Sequence, residues 1–192
     1  MAKAKKRAKS ATSGKQSPGR RRAAKQQDAV DVLKADHRQV EEWFKQFEST
    51  RSDNRKQVLA SQICQALKVH TQIEAEIFYP AFLAATDDED IHHEAEIEHE
   101  GAKRLIADIE ASAPDDDYYD ARVTVLSEMI KHHVNEEEKR DGMFSKARKA
   151  QMDLVGLGQQ LEARKSELMS ESKGESESAV RRARRSEAQA RA

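Results

Sequence analysis

The chain has 192 residues, of which 37% are hydrophobic and 36% are charged, and its formal net charge at pH 7 is −1. This length favours one domain with flanking tails over two full domains. The single cysteine excludes an internal disulfide, and no stretch approaches the roughly 20 apolar residues that span a bilayer. We therefore expect a cytoplasmic protein with no membrane contact.

Two tails lack large apolar side chains, and both are expected to be disordered because they bury too little surface to offset the entropy of ordering. Residues 1–27 contain ten lysines and arginines and no acidic residue, which leaves −11 for the remainder of the chain. This basic tail lacks the apolar segment of a secretory signal, and an organelle transit peptide is a minor alternative. Its charge suits weak, nonspecific contact with nucleic acid. The predicted division is a tail over 1–27, a helical domain over 28–169 and a tail over 170–192.

Between the tails, apolar residues recur at helical spacing. Asp28 is expected to cap the first helix, and Pro80 is expected to kink or stop the second. Four helices joined by short polar loops predict an all-α, antiparallel up-down four-helix bundle with an additional C-terminal helix. The predicted helices cover residues 28–48, 55–83, 91–111, 118–150 and 152–169.

Histidine and glutamate are paired on two of these helices. His70 and Glu74 are four residues apart, and a turn of about 400° places both side chains on nearly the same helix face. His133 and Glu137 repeat this spacing on the fourth helix. Both pairs lie among residues assigned to the inner face, where an unpartnered polar group costs free energy. Two such pairs in one small core indicate a shared cation.

Two further histidines double the pattern. His37 precedes His70 by 33 residues, and His99 precedes His133 by 34 residues. Four imidazoles and two carboxylates suit borderline metals such as iron, manganese or zinc. One arrangement uses all six side chains: each of two metals takes two histidines, and the two glutamates bridge the metals.

Several short motifs resemble the bacterial hemerythrin-like, or HHE cation-binding, family over roughly residues 28–169. The motifs are Asp36-His37, His70 to Pro80, Glu98-His99 and His132 to Glu138. The resemblance implies a carboxylate-bridged centre of two non-haem iron ions in a four-helix bundle. It also implies binding of oxygen or nitric oxide, iron and redox sensing, or peroxide chemistry. The implied metal ligands are His37, His70, Glu74, His99, His133 and Glu137.

The chain departs from the oxygen-carrying members of this family on its third helix. The carriers place two histidines four residues apart there, whereas Ala95 and Lys103 stand four residues on either side of His99. Fewer imidazoles imply a more open and more easily oxidised site. This difference favours sensing, peroxide turnover or iron handling over reversible oxygen carriage. The segment Lys139 to Phe144 also differs from the usual family ending, which predicts a looser end of the bundle.

Several side chains near the motifs have alternative interpretations. His132 competes with His133 as a ligand, but only His133 has a glutamate four residues later. Glu96-x-x-His99 matches the motif of ferritin-like di-iron proteins, which requires a second copy that we do not find. Glu76, Glu96 and Glu138 are candidates for supporting the ligands, although solvated acidic faces are commoner. Core packing is expected for Trp43, Phe44, Phe47, Cys64, Phe78 and Tyr79.

Three functional hypotheses follow. The first is a metal-binding, redox-responsive protein whose di-iron centre binds or senses oxygen, peroxide or nitric oxide, or handles iron. The second is a catalase-like enzyme that decomposes peroxide at the same centre. The third is a helical interaction module that its basic tail anchors to polyanions. The metal, the small ligand and the oligomeric state stay open at this point.

Overall fold

The computed structural model of the chain describes residues 27–190, and beyond residue 174 it describes the side chains of only 178, 181 and 182. The predicted all-α bundle with an additional C-terminal helix is confirmed, and residues 27–190 contain no strand. The expected disorder of the basic tail concerns residues outside this range, apart from Gln27. The helices are α1 (Ala29–Ser49), α2 (Asp53–Ile73), α3 (Tyr79–Thr86), α4 (Glu89–Glu110), α5 (Tyr119–Glu138), α6 (Met143–Lys149) and α7 (Leu154–Ala190).

The start of the first helix agrees with its prediction. The Asp28 side chain caps α1 by accepting a hydrogen bond of 3.0 Å from the backbone N–H of Asp31. This bond satisfies one of the backbone donors that a helix leaves free in its first turn.

The second predicted helix contains a wide turn. A π-helical turn over Glu74–Phe78 joins α2 to α3, and the chain stays helical to Thr86. Of the two predicted outcomes, Pro80 therefore does not stop the helix. Proline cannot donate an α-helical hydrogen bond, and the wide turn lies immediately before it. Within this turn the N–H of Tyr79 donates to the carbonyl oxygen of Glu74, five residues earlier.

The fourth predicted helix, over 118–150, is interrupted. α5 ends at Glu138, and α6 begins separately at Met143. Between them the chain doubles back so tightly that a Cβ atom on Gly142 would lie 2.2 Å from the carbonyl oxygen of Glu136. A close backbone approach of this kind leaves room only for glycine. The turn lets α6 fold over the end of the bundle.

The C-terminal helix is longer than predicted. The sequence placed its end at residue 169 and disorder after it, whereas α7 continues to Ala190. The segment after 169 is rich in alanine, glutamate and arginine, whose intrinsic helix propensity is high even without a packed face. The division into domains stays a prediction, but residue 169 is not the end of a helix.

Two apolar clusters fill the bundle. One contains Leu33, Ile73, Phe78 and Phe144, and the other contains Val40, Leu67, Ala102 and Ile130, among further buried side chains. Along α1 and α2 the predicted ligands stand between members of the two clusters, with His37 between Leu33 and Val40 and His70 between Leu67 and Ile73. The polar side chains therefore form a layer between two hydrophobic regions.

The outer faces are polar with few exceptions. Ile97, an apolar residue of α4, is 74% exposed. It lies two residues before His99, about 200° around the helix from the inward direction. Among the residues described, no helix combines the length and apolarity needed to cross a membrane.

Candidate metal centre

The structure brings all six predicted ligands together in the bundle core. α1, α2, α4 and α5 each contribute one buried histidine, so the four histidines come from four different helices. The two glutamates are at most 2% exposed. The six side chains are His37, His70, Glu74, His99, His133 and Glu137.

The histidines form two pairs. Nε2 of His37 lies 3.1 Å from Nε2 of His70, which joins α1 to α2. Nε2 of His99 lies 3.3 Å from Nε2 of His133, which joins α4 to α5. These are the two pairs that the sequence spacing predicts, and the Nε2 atoms within each pair face one another.

Each glutamate contacts one histidine of each pair. Oε2 of Glu74 lies 3.2 Å from Nε2 of His70 and 3.4 Å from Nε2 of His99. Glu74 is accordingly shared by two sets of closely spaced ligand atoms, one with His37 and His70 and one with His99 and His133. A carboxylate in this position can bind two cations at once.

Glu137 spans the same two pairs through the other two histidines. Its Oε2 atom lies 3.4 Å from Nε2 of His37 and 3.7 Å from Nε2 of His133. These separations are longer than those of Glu74. Within 4 Å, the two glutamates thus link the two pairs through different histidines.

Carboxylates behind the histidines orient the rings. Nδ1 of His37 lies 2.8 Å from Oε1 of Glu138, and Nδ1 of His133 lies 2.7 Å from Oε2 of Glu98. A carboxylate at Nδ1 holds the proton on that nitrogen and leaves the Nε2 lone pair directed toward the site. The prediction that Glu138 supports a ligand agrees with this contact.

His70 has a similar but longer contact with an acidic side chain. Its Nδ1 atom lies 3.5 Å from Oδ2 of Asp36, and Asp36 also accepts a hydrogen bond from Lys165 of α7. Sequence reasoning missed the supporting roles of Asp36 and Glu98. A signal was present, since each acid directly precedes a histidine, but each supports a histidine on a neighbouring helix instead of the one beside it.

Tyr79 was predicted to pack in the core, and the structure places its hydroxyl among the ligands. This oxygen lies 3.2 Å from Nε2 of His99 and 3.3 Å from Oε1 of Glu137. In a regular α-helix, residues five apart differ by about 140° in direction. The π-helical turn instead brings Tyr79 onto the same inner side as Glu74, which periodicity analysis at α-helical spacing does not detect.

The electrostatics of the cluster disfavour the simultaneous ionisation of Glu74 and Glu137. Burial and repulsion from Glu74 raise the pKa of Glu137 to about 8. Burial is the largest effect on Glu74 and works against its ionisation, but the combined attraction of the histidines, with His70 first, outweighs it and lowers the pKa of Glu74. Burial lowers the pKa of His99 to about 3. Without added positive charge, the layer therefore favours one ionised glutamate at a time, whereas bound cations would favour both.

The donor set fits metal ions. Oε1 of Glu74 and Oε2 of Glu137 are buried and have no hydrogen-bond partner among the described residues. Such atoms carry a large desolvation cost unless a cation or hydrogen-bond donor satisfies them. Two unsatisfied carboxylate oxygens beside four inward-facing imidazole nitrogens are the ligands that borderline divalent metals prefer.

Several other predicted candidates lie away from the cluster. His132 is 63% exposed and contacts Oε1 of Glu98 at 3.3 Å, so His133 is the inward-facing member of this pair. Glu96 is exposed and approaches His92, so the ferritin-like interpretation of Glu96 and His99 does not agree with the structure. Glu76 binds Arg164 of α7 at the surface and supports no ligand.

Aromatic side chains cover the end of the site. The ring of Phe144, on α6, stacks on His37 with 5.9 Å between ring centroids and 15° between planes. The Phe78 ring meets Phe144 edge to face at 5.7 Å. α6 packs Phe144 into the apolar cluster, where its side chain is buried. The prediction of a looser end of the bundle at this segment is therefore wrong. Cys64 is buried as predicted.

Comparisons with known proteins agree with this fold. The hemerythrin HHE cation binding domain profile matches residues 28–144. A DNA nickase from Nostoc sp. is 28% identical over 111 residues, which cover 56% of this chain but only 30% of that relative's length. A crystal structure of a hemerythrin HHE cation binding domain-containing protein from Mycobacterium kansasii has a TM-score of 0.62 and 24% identity, covering 74% of this chain and 87% of that one. At this identity the likeness concerns the fold.

Proposed function

Because this chain belongs to the hemerythrin HHE cation-binding family, we propose that its bundle core holds two non-haem iron ions that bind or sense oxygen, peroxide or nitric oxide. The observation that carries the proposal is the sharing of carboxylates between histidine pairs. Glu74 reaches His70 and His99, whereas Glu137 reaches His37 and His133. Four histidines from four helices and two acids that reach both pairs make two half-sites.

The residues divide naturally between the two ions. His37 and His70 would hold one, and His99 and His133 would hold the other. When bound, such a pair of irons supplies one-electron redox chemistry and coordination positions for small oxidising ligands. The protein's own contribution is a buried, oriented set of donors. Glu98 and Glu138 fix the imidazole tautomers, and the apolar clusters limit the access of water.

One feature favours sensing, turnover or iron handling over reversible oxygen carriage. α4 supplies one histidine to the core, and the position four residues before it is the buried Ala95. A small apolar cavity of about 10 Å³ also borders the imidazoles, with Val40, Leu67 and Ile130 among its walls. A space of that size is about the smallest that holds one water molecule, which excludes a large organic substrate.

Metal analysis tests the proposal. The full-length protein should contain about two irons per chain and show the visible absorption of an oxo-bridged pair. Glu74→Ala should lose iron, because this carboxylate contacts both pairs. Asp108→Asn, a change at an exposed carboxylate of α4, should retain it. A folded full-length protein that binds no iron under reducing, iron-replete conditions would rule the proposal out.

A second candidate is catalase-like decomposition of peroxide at the same centre. The hydroxyl of Tyr79, within 3.5 Å of both shared glutamates, favours it, because a buried proton donor can assist proton transfer to a bound oxidant. Iron-loaded protein should then release oxygen from added peroxide, and Glu74→Ala should not. Iron-loaded protein without any turnover would leave only the binding or sensing role.

A third candidate is an interaction role for the basic segment over 1–27. Its charge and the name of one relative, a DNA nickase, motivate it, although this chain covers a minor part of that relative. Salt-sensitive DNA binding that disappears on deletion of residues 1–27 would support this role. Equal binding by the full-length and deleted chains would exclude the segment as its cause.

A further inference from the structure

A second group of metal-binding side chains lies at the surface between α4 and α5. One carboxylate oxygen of Glu94, one of Glu98 and one ring nitrogen of His132 lie within 4.8 Å of one another. Two carboxylates and one imidazole offer the same donor types as the core site. This group shares no member with the six core residues, although Glu98 contacts one of them.

Glu98 connects this surface group to the buried centre. Its Oε1 atom lies 3.3 Å from Nε2 of His132, and its Oε2 atom lies 2.7 Å from Nδ1 of the proposed ligand His133. One carboxylate therefore contacts both the exposed histidine and the buried one. A cation held by Glu98 and His132 would be separated from the centre by the His133 imidazole alone.

A cavity of about 40 Å³ adjoins the two glutamates of this group, although His132 does not line it. Glu94 and Glu98 line it together with Met143 of α6, and its walls also include His133 and Glu137. Glu137 is 2% exposed, and its Oε2 atom has no hydrogen-bond partner among the described residues. The cavity therefore borders both the exposed carboxylate of Glu94 and two residues of the core site.

The charge of this cavity favours cations. Four glutamates and one lysine are among its lining residues. The lysine, Lys139, donates a hydrogen bond to Glu136, so these two side chains largely neutralise one another. Glu94 and Glu98 are left to attract positive charge. A cleft of one sign with low-dielectric walls raises the local concentration of the opposite ion.

We propose that Glu94, Glu98 and His132 form a surface entry site that captures Fe²⁺ and passes it through this cavity to the buried centre. The inference rests on the proposed di-iron function and adds its route of metal loading. The entry site controls the rate of filling. It does not control the final iron content, because the core ligands are unchanged when Glu94 or His132 is replaced.

The test is the rate of anaerobic Fe²⁺ uptake by full-length, metal-depleted protein. Free Fe²⁺ is removed with a chelator at set times, and retained iron is counted. Glu94→Lys should slow uptake about tenfold, and Glu94→Gln or His132→Gln should slow it about threefold, since the site acts by electrostatic attraction and by direct ligation. All variants should reach the wild-type iron content.

Asp108→Lys provides the matched control. Asp108 is exposed on the same helix, fourteen residues after Glu94, which is about 21 Å along the axis and nearly the same direction around it. This variant should load at the wild-type rate. Equal slowing by Asp108→Lys, or unchanged loading in Glu94→Lys, would overturn the entry site while leaving the core proposal intact. A wild-type chain that retained no iron would overturn both.

Discussion

The hydroxyl of Tyr79 lies 3.2 Å from Nε2 of His99. His99 is the single histidine that α4 supplies to the core. This contact exists because the π-helical turn before Pro80 rotates Tyr79 toward the core. π-helical turns are rare in proteins and are frequent at functional sites. Tyr79 is therefore part of the site's polar layer even though its ring packs among apolar side chains.

Replacing this hydroxyl should weaken the metal-free protein without disturbing its packing. In Tyr79→Phe, His99 and Glu137 lose a buried hydrogen-bonding partner, and we expect the free energy of unfolding in urea to fall by about 1–2 kcal/mol. Tyr118→Phe is the control, because Tyr118 is largely exposed and its replacement should change stability by less than about 0.5 kcal/mol. Equal effects of the two substitutions would contradict a specific role for the Tyr79 hydroxyl.

The carboxylate behind His37 should tune metal affinity. Glu138→Gln keeps the shape of the side chain but removes the charge that faces Nδ1 of His37 at 2.8 Å. We expect iron affinity, measured by competition with a chelator, to fall about tenfold, because supporting carboxylates raise the basicity of the ligand. Glu128→Gln, at an exposed position of the same helix, should leave affinity unchanged. An unaltered affinity in Glu138→Gln would show that iron binding does not depend on the negative charge behind His37.

The turn at Gly142 should tolerate no side chain. A Cβ atom there would lie 2.2 Å and 2.7 Å from the carbonyl oxygens of Glu136 and Glu137. Because these atoms belong to the backbone that carries a proposed ligand, Gly142→Ala should cost about 1–3 kcal/mol and reduce iron content. Gly174→Ala is the control, since nothing lies within 4 Å of its Cβ position. In a helix, that change should be neutral or slightly stabilising.

Burial should protect the thiol of Cys64. It raises the pKa of Cys64 to about 12 from an ordinary value of 9.0, so the reactive thiolate is scarce at pH 8. A thiol reagent should label the native protein very slowly and label one thiol per chain quickly in denaturant. Because the folded pKa is the higher one, the thiol's contribution to stability is present below pH 9 and declines toward pH 12. Rapid native labelling at pH 8 would contradict the buried environment.

The sequence by itself determined the all-helical class, most of the inner faces and the six residues that meet in the core. Spacing sufficed for His70 with Glu74 and for His133 with Glu137, because an α-helix repeats its direction about every four residues. The spacing of His37 and His99 then matched the two halves. The four-residue spacing is a local periodicity that is visible in a single helix, whereas the spacings of 33 and 34 residues are visible only as a repeat between the two halves of the chain.

Tertiary structure alone decided the contacts that join different helices or depart from regular geometry. Asp36 and Glu98 support histidines on neighbouring helices, which no spacing along one helix can indicate. Tyr79 enters the site through a π-helical turn, and Gly142 ends α5 earlier than periodicity predicts. In each case the deciding term is packing between distant segments, whose free energy outweighs local helical preference.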